Sequence, residues 1–335
     1  MKLKMLFLSL LSIIGFKQGI VVGNAINLVP GGETVGIEIR PDGLIISGTY
    51  DVKTPNGTYN PSKDSDIKRG DILYEVENIK ISGLEDFSVI FNNVINNDEV
   101  DVKLKRNKTS IKRKLRLIKE NNRYKTGLYI KERILGIGTV SFYDTENNVY
   151  GALGHAIVDN DSGNVVEVKE GSIYKSSITG INKSKDGDPG EKVASFSQDC
   201  PLGTILENTS IGIYGTYNEL PKGLKPLEMA YANELELGPA KIYTVIKGNK
   251  VEEFSINITA LKKQDLSDIK GITFKVDDER LLNVTGGVVA GMSGSPIIQN
   301  NKLVGAVTHV LVDKVEYGYG IYVEWMYNEA LRIIK

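Results

Sequence analysis

Residues 285–296, TGGVVAGMSGSP, carry four glycines and a Ser-Gly step before a proline, and the apolar pair Ile297 and Ile298 follows at once. Glycines gather where backbone must turn tightly or approach a ligand closely. A serine in such a turn can present its hydroxyl to a cleft. The backbone N–H groups beside it, those of Gly291 and Ser293, are then placed to bind a developing oxyanion. A hydroxyl is a weak nucleophile and needs a base. The chain has only two histidines: His155, in the run GALGHAIVD over 151–159, and His309, in GAVTHVLV over 305–312. His309 lies within an apolar, strand-like run and reads as a core residue. Ser295 reads as a small packing residue beside the nucleophile.

The bounds around this chemistry are ordinary. The chain has 335 residues, enough for about two domains. It is 41% hydrophobic and 25% charged, with a net charge of -1, so nothing overall points to nucleic acid. One cysteine, Cys200, gives no disulfide framework and reads as a structural thiol. Two distant histidines without a cysteine cluster build no metal site, and no cofactor is expected. Lys2 and Lys4 followed by an apolar run over 5–16 read as a secretory signal, with an uncleaved anchor as the rival; the run is short of the ~20 residues of a spanning helix. Either way the protein is expected to work outside the cytoplasm.

Several elements must position the site. A linker is expected over 26–34. Gly43–Gly48 and 71–76 read as strands, and Leu84, Phe87, Ile90, Phe91 and Val94 fall at helical spacing over 84–95. Residues 100–104 and 111–118 read as a strand pair. The lysines and arginines of 103–125 alternate with Ile111, Leu115 and Leu117, as on the solvated face of a hairpin; attraction to an anionic membrane surface is the sharper alternative. From about 126 short β-type runs follow one another with turns between them, which argues a barrel or sandwich. The loop 183–190, rich in glycine and aspartate, is expected to be mobile, and 322–335 to close the fold as an amphipathic helix.

Two resemblances add to this reading. Residues 35–120, with Gly70, Asp71, Ile72 and Leu73 at their most recognisable point, resemble a PDZ domain. Such domains take a peptide as an added strand and hold its end with a backbone loop. By position that loop is Thr34, Val35, Gly36 and Ile37, unless these residues simply start a strand. The run Gly291–Pro296 resembles the nucleophile loop of trypsin-like proteases. Together with Gly154-His155 and the segment starting at Asp278, it is similar to the stage IV sporulation protein B peptidases, over nearly the whole chain. That family implies Ser293 as nucleophile, His155 as base and Asp278 as the orienting acid, with Asp159 and Asp188 as fallbacks. It implies a mainly β architecture: an N-terminal segment over 1–25, the small α/β PDZ domain over 35–120, and a trypsin-like double β-barrel over 121–335. It also implies an exported sporulation endopeptidase acting between the two forespore membranes. Its protein substrates would be itself and a membrane-bound regulator of an intramembrane protease, whose release activates a late sigma factor. The PDZ ligand would be a peptide, its own N-terminal segment included. The rival from another class is a scaffold that kept the fold and binds peptides without cutting them.

Overall fold

The structure is a computed structural model and describes residues 25–120, 123–221, 223 and 225–335. The expected signal or anchor falls on residues 1–24 and lies outside the described residues. Among those described, no helix is long and apolar enough to cross a membrane.

The chain is mainly β and builds two barrels, as expected. In the first, Thr34–Arg40 lies between Ile134–Asp144 and Glu170–Asn182, antiparallel to both. Ile134–Asp144 continues to Val149–Ala152 and then to Gly212–Gly215. Glu191–Thr204 pairs with Glu170–Asn182. The Gly203–Tyr217 bridge and the bond from Thr204 N–H to Thr216 O (2.9 Å) close the ring. Val35, Ile37, Ile39, Val140, Tyr150, Ile173 and Ile213 fill it. The second barrel runs through Gly238–Val245, Val251–Leu261, Ile272–Val276, Tyr317–Tyr322, Lys302–Val310 and Pro296–Gln299, and returns to its first strand. Ile242, Phe254, Ile256, Phe274, Ile297 and Val307 fill its interior. The last helix, Val323–Ile334, buries Val323, Met326, Tyr327 and Ala330. Its cluster includes Leu28, Phe142 and Tyr214 of the first half and Ile298 and Ile321 of the second, so it seals the seam between them.

The strand Thr34–Arg40 corrects the expected boundaries. Residues 34–40 belong to the first barrel, neither to a linker nor to the small unit. Ile39 faces Ile134 and Thr34 faces Thr139 on one side, while Ile37 faces Ile173 on the other. Thr34, Val35, Gly36 and Ile37 are therefore not a peptide-end loop. They are buried and paired along both edges, which leaves no open amides for a ligand. The polar residues Thr34 and Glu38, which alternate with Val35, Ile37 and Ile39, are buried as well.

The small unit, residues 44–131, is an insertion between two strands that are direct neighbours in the barrel. Its sheet runs Leu128–Lys131, Leu44–Thr49, Ile72–Val76, Glu99–Arg106, Thr109–Arg116. A helix, Leu84–Val89, continues as helical turns to Val94 and buries Ile90 and Phe91 against it. The Gly70-Asp71 step is structural. Asp71 is buried, accepts from Lys68 N–H (2.8 Å), and is gripped by two nitrogens of Arg106 at 2.7 Å. Much of the basic character of this hairpin is answered locally. Lys103 pairs with Glu75, Lys105 with Glu167, Arg113 with Asp66 and Lys114 with Glu99. That pattern is the solvated hairpin face rather than a free cationic patch.

Candidate active site

Ser293 stands in the turn between the helix Glu279–Thr285 and the strand Pro296–Gln299. Gly286, Gly287, Gly291 and Gly294 all have positive φ there, which accounts for the density of glycine. At Gly294 the need is absolute. Its φ is +94° and a Cβ would lie 1.9 Å from Thr139 O and 2.6 Å from Leu153 N.

The carbonyls of this turn are all held from behind. Ala290 O accepts from Lys192 N–H (2.9 Å) and Gly291 O from the Thr139 hydroxyl (2.8 Å). Met292 O accepts from Ser295 N–H (2.9 Å) and Ser293 O from Thr139 N–H (3.0 Å). The N–H groups of Met292 and Gly294 are occupied as well, by Val289 O and Val307 O. Among the described residues, the N–H groups of Gly291 and Ser293 have no acceptor. Two open amides beside one hydroxyl is the arrangement an acyl-transfer site requires.

His155 follows Leu153 and Gly154, both at positive φ, at the end of the strand Val149–Ala152. Leu153 N–H bonds Thr139 O (3.2 Å), and a Cβ on Gly154 would meet Thr308 Cγ2 at 2.9 Å. The His155 turn and the nucleophile turn thus share Thr139 and Thr308 as neighbours. The Ser293 hydroxyl donates to Thr308 O at 2.7 Å. His155 Nδ1 lies 2.8 Å from Ala156 O. A carbonyl only accepts, so the proton is on Nδ1 and Nε2 carries the lone pair. Burial holds the imidazole pKa below 6.5, against the raising effect of the Ala156 bond, so the ring is neutral at pH 7.

Asp278 does not meet His155. It caps the helix Glu279–Thr285, accepting from Arg280 N–H (3.0 Å) and Ser255 N–H (3.2 Å), and its carboxylate is paired with the Arg280 guanidinium (2.7 Å). That guanidinium first of all holds its pKa below the usual value. Aspartate before a helix is a strong cap, and here the cap accounts for the residue's geometry. Of the fallbacks, Asp159 is buried and pairs with Lys131 and Ser162, and Asp188 belongs to a turn closed on Lys185.

Sequence reasoning missed two residues here, Lys192 and Thr139, and set a third, His309, aside as a core residue. His309 is the closest ring to His155, with centroids 4.7 Å apart. Burial, then His155, then Lys270 push its pKa down to about 4. Lys192 is buried beneath Gly291, its Nζ donating to Thr244 Oγ1 (2.8 Å) and Thr34 Oγ1 (3.3 Å), and burial lowers it to about 7. Thr139 is fully buried and joins the two turns. Local patterns could not mark these residues, because each acts through a partner far off in the chain. The loop 183–190 is likewise pinned rather than mobile. Ser184 Oγ donates to Val288 O (2.7 Å), Gly190 N–H to Ser184 Oγ (2.8 Å), and Ala290 N–H to Gly190 O (2.8 Å).

None of the curated proteins compared with the chain matches it. Among solved structures it is similar to the active form of the Rv3671c protease of M. tuberculosis, at 16% identity and a TM-score of 0.36, over 60% of this chain and 74% of that one. It is also similar to the HtrA-type protease AlgW with a decapeptide, at 10% identity and a TM-score of 0.35, over 64% of this chain and 55% of that one. The SpoIVB peptidase S55 family model matches residues 122–327, more than half of the chain and nearly all of both barrels. The chain belongs to the SpoIVB peptidase S55 family and is a serine endopeptidase.

Proposed function

We propose that Ser293 is the nucleophile, His155 its general base, and the amides of Gly291 and Ser293 the oxyanion hole. The observation that carries this reading is the nucleophile turn itself, where every carbonyl over 290–293 is bonded away from the cleft and two N–H groups are left over. In the resting state the hydroxyl is parked on Thr308 O. A substrate carbonyl entering the amide pair draws Oγ round to His155 Nε2, which takes its proton and later hands it to the leaving amine. The usual carboxylate is replaced by Ala156 O, which fixes the tautomer but adds no negative charge for the imidazolium. Such a site is expected to act more slowly than a full triad.

The family and the charged, apolar start of the chain support export and a role in sporulation, with self-cleavage and cleavage of a membrane-bound regulator as its acts. The inserted unit reads as a PDZ-type peptide binder. One terminal strand of its sheet is Leu128–Lys131, with Tyr129 exposed on it and the exposed Leu84 beside it through the bond from Leu84 N–H to Glu132. A peptide would add to that strand as a further one.

A fluorophosphonate probe tests the catalytic assignment without a known substrate. Labelling is expected in the full chain, absent in Ser293→Ala and slowed at least ~100-fold in His155→Ala. Undiminished labelling of Ser293→Ala removes the assignment.

A further inference from the structure

We propose that Thr139 is a positioning residue for catalysis, and that its hydroxyl keeps the oxyanion hole open. The proposal rests on the reading of the Gly291 and Ser293 amides given above. Thr139 lies on Ile134–Asp144, a strand of the first barrel, while the nucleophile turn belongs to the second. It makes three bonds, and each ends on a different piece of the site. Its hydroxyl donates to Gly291 O, its N–H to Ser293 O, and its own carbonyl accepts from Leu153 N–H, two residues before His155.

The hydroxyl bond differs from the other anchors of the turn in kind. Ala290, Met292 and Ser293 direct their carbonyls to backbone N–H groups, which any sequence would supply. Of the four carbonyls over 290–293, Gly291 O alone depends on a side chain. It is also the carbonyl in the most labile place. Gly291 has φ +89° and no Cβ, so rotation of the peptide unit between Gly291 and Met292 meets little steric resistance. Were that unit to turn over, the carbonyl would swing toward the cleft and set a partial negative charge beside the donor pair, where it would repel an oxyanion. Two bonds oppose the rotation: Thr139 Oγ1 to Gly291 O, and Met292 N–H to Val289 O at 3.1 Å. The first is the shorter, and it is made by a side chain with no exposed surface. A buried carbonyl left without a donor is costly, so losing the hydroxyl itself favours the turned-over state, in which Gly291 O reaches solvent.

Position adds to the case. Strand pairing fixes Thr139 opposite Thr34, and Gly294 packs so closely on Thr139 O that the strand and the turn cannot slide past one another. The hydroxyl is therefore presented at a set distance, and a serine at the same place retains it while a valine keeps the shape and loses the donor.

The test uses the full chain and the saturation kinetics of fluorophosphonate labelling, which separate the inactivation rate kinact from the binding constant KI. Thermal midpoints are recorded beside them. Thr139→Val and Thr139→Ala are expected to lower kinact by about 10- to 100-fold with KI little changed, since the phosphoryl oxygen occupies the amide pair only as the bond forms. Thr139→Ser is expected to recover kinact to within a few-fold of the starting protein, whatever its thermal midpoint. Thr139→Ala, which removes atoms and adds none, decides the matter if Thr139→Val does not fold. Wild-type kinact in a folded Thr139→Ala or Thr139→Val overturns the proposal, as does a Thr139→Ser no faster than the alanine variant. Labelling that survives in Ser293→Ala would instead overturn the nucleophile assignment, so the two failures are told apart.

Discussion

The two turns that carry the chemistry are held in contrasting ways. The nucleophile turn is fixed mainly by backbone, from strands of the two barrels and the pinned loop at 183–190, with the buried hydroxyls of Thr139 and Ser184 as side-chain anchors. The segment after His155 is fixed largely by side chains. Asn208 of the first barrel bonds Ile157 N–H and the carbonyls of Ile157 and Val166 at 2.8–2.9 Å. On its other side the segment is held by the inserted unit. Lys131 pairs with Asp159 and with Asp161 (2.6 Å), Arg69 bonds Asp161 O (3.0 Å), and Gly70 sits against Ser162 and Asn164. Anchoring by the backbone and the buried Thr139 hydroxyl makes the oxyanion hole a property of the barrels. Charge anchoring makes the placement of the base depend on a separate folding unit. Lys131, moreover, ends one terminal strand of the unit's sheet.

The sharpest way to break this contrast is at Gly294. A Cβ 1.9 Å from Thr139 O cannot be accommodated, and the positive φ adds strain. Gly294→Ala is expected to cost at least ~3 kcal/mol and abolish labelling, read as a fallen unfolding midpoint and no adduct. A wild-type unfolding midpoint in Gly294→Ala would mean that the two barrels are less tightly joined than described.

A smaller effect is expected at Lys131. Lys131→Met leaves the buried Asp159 without its cation. Burial pushes the Asp159 pKa up, yet Lys131 and Ser162 together hold it below its ordinary value. Because Lys131 is part-exposed, about 1–2 kcal/mol is expected. Hydrogen exchange should accelerate over 155–166 and stay unchanged over 286–295. Equal acceleration in both segments would erase the contrast.

The mildest probe is pH. The neutral His155 persists below 6.5 because its folded pKa is depressed, so activity should hold through pH 6.5 and fall only further into acid. Folding follows the same sign. The unfolded histidines bind protons near 6.5 and the folded ones only lower, His309 at about 4, so stability declines as pH drops from 6.5 through those values. A pH–rate profile with its acid limb above 6.5 would show that another group governs activity.

The nucleophile turn was legible because its demands are local. Positive φ selects glycine, and a serine among such residues is visible in one line of sequence. The mainly β character and the closing helix were legible for the same reason: Val323, Met326 and Ala330 recur at helical spacing and are buried. Helical spacing also found 84–94, but Leu84, Val89 and Val94 face solvent beside the unit's sheet. The boundary at 34–40 was hidden because Ile39 finds Ile134 across an inserted unit, and periodicity says nothing about distant partners. Asp278 misled for a different reason, since an acid placed ahead of a serine suits a triad and a helix cap alike. His309 read as a core residue from its strand, and the strand's direction toward His155 is a tertiary fact.

The inserted unit leaves and re-enters through neighbouring rungs of one ladder, at Ile39 and Ile134. Both ends of the module are thus anchored side by side, like a flag on a short pole. Exchanging it for a reverse turn would unpair no strand of the barrel, and would remove only the side-chain bonds by which the module holds 159–167. A load on the module would reach the candidate site through the pole itself and through its contacts with 159–167, the lysine strut among them.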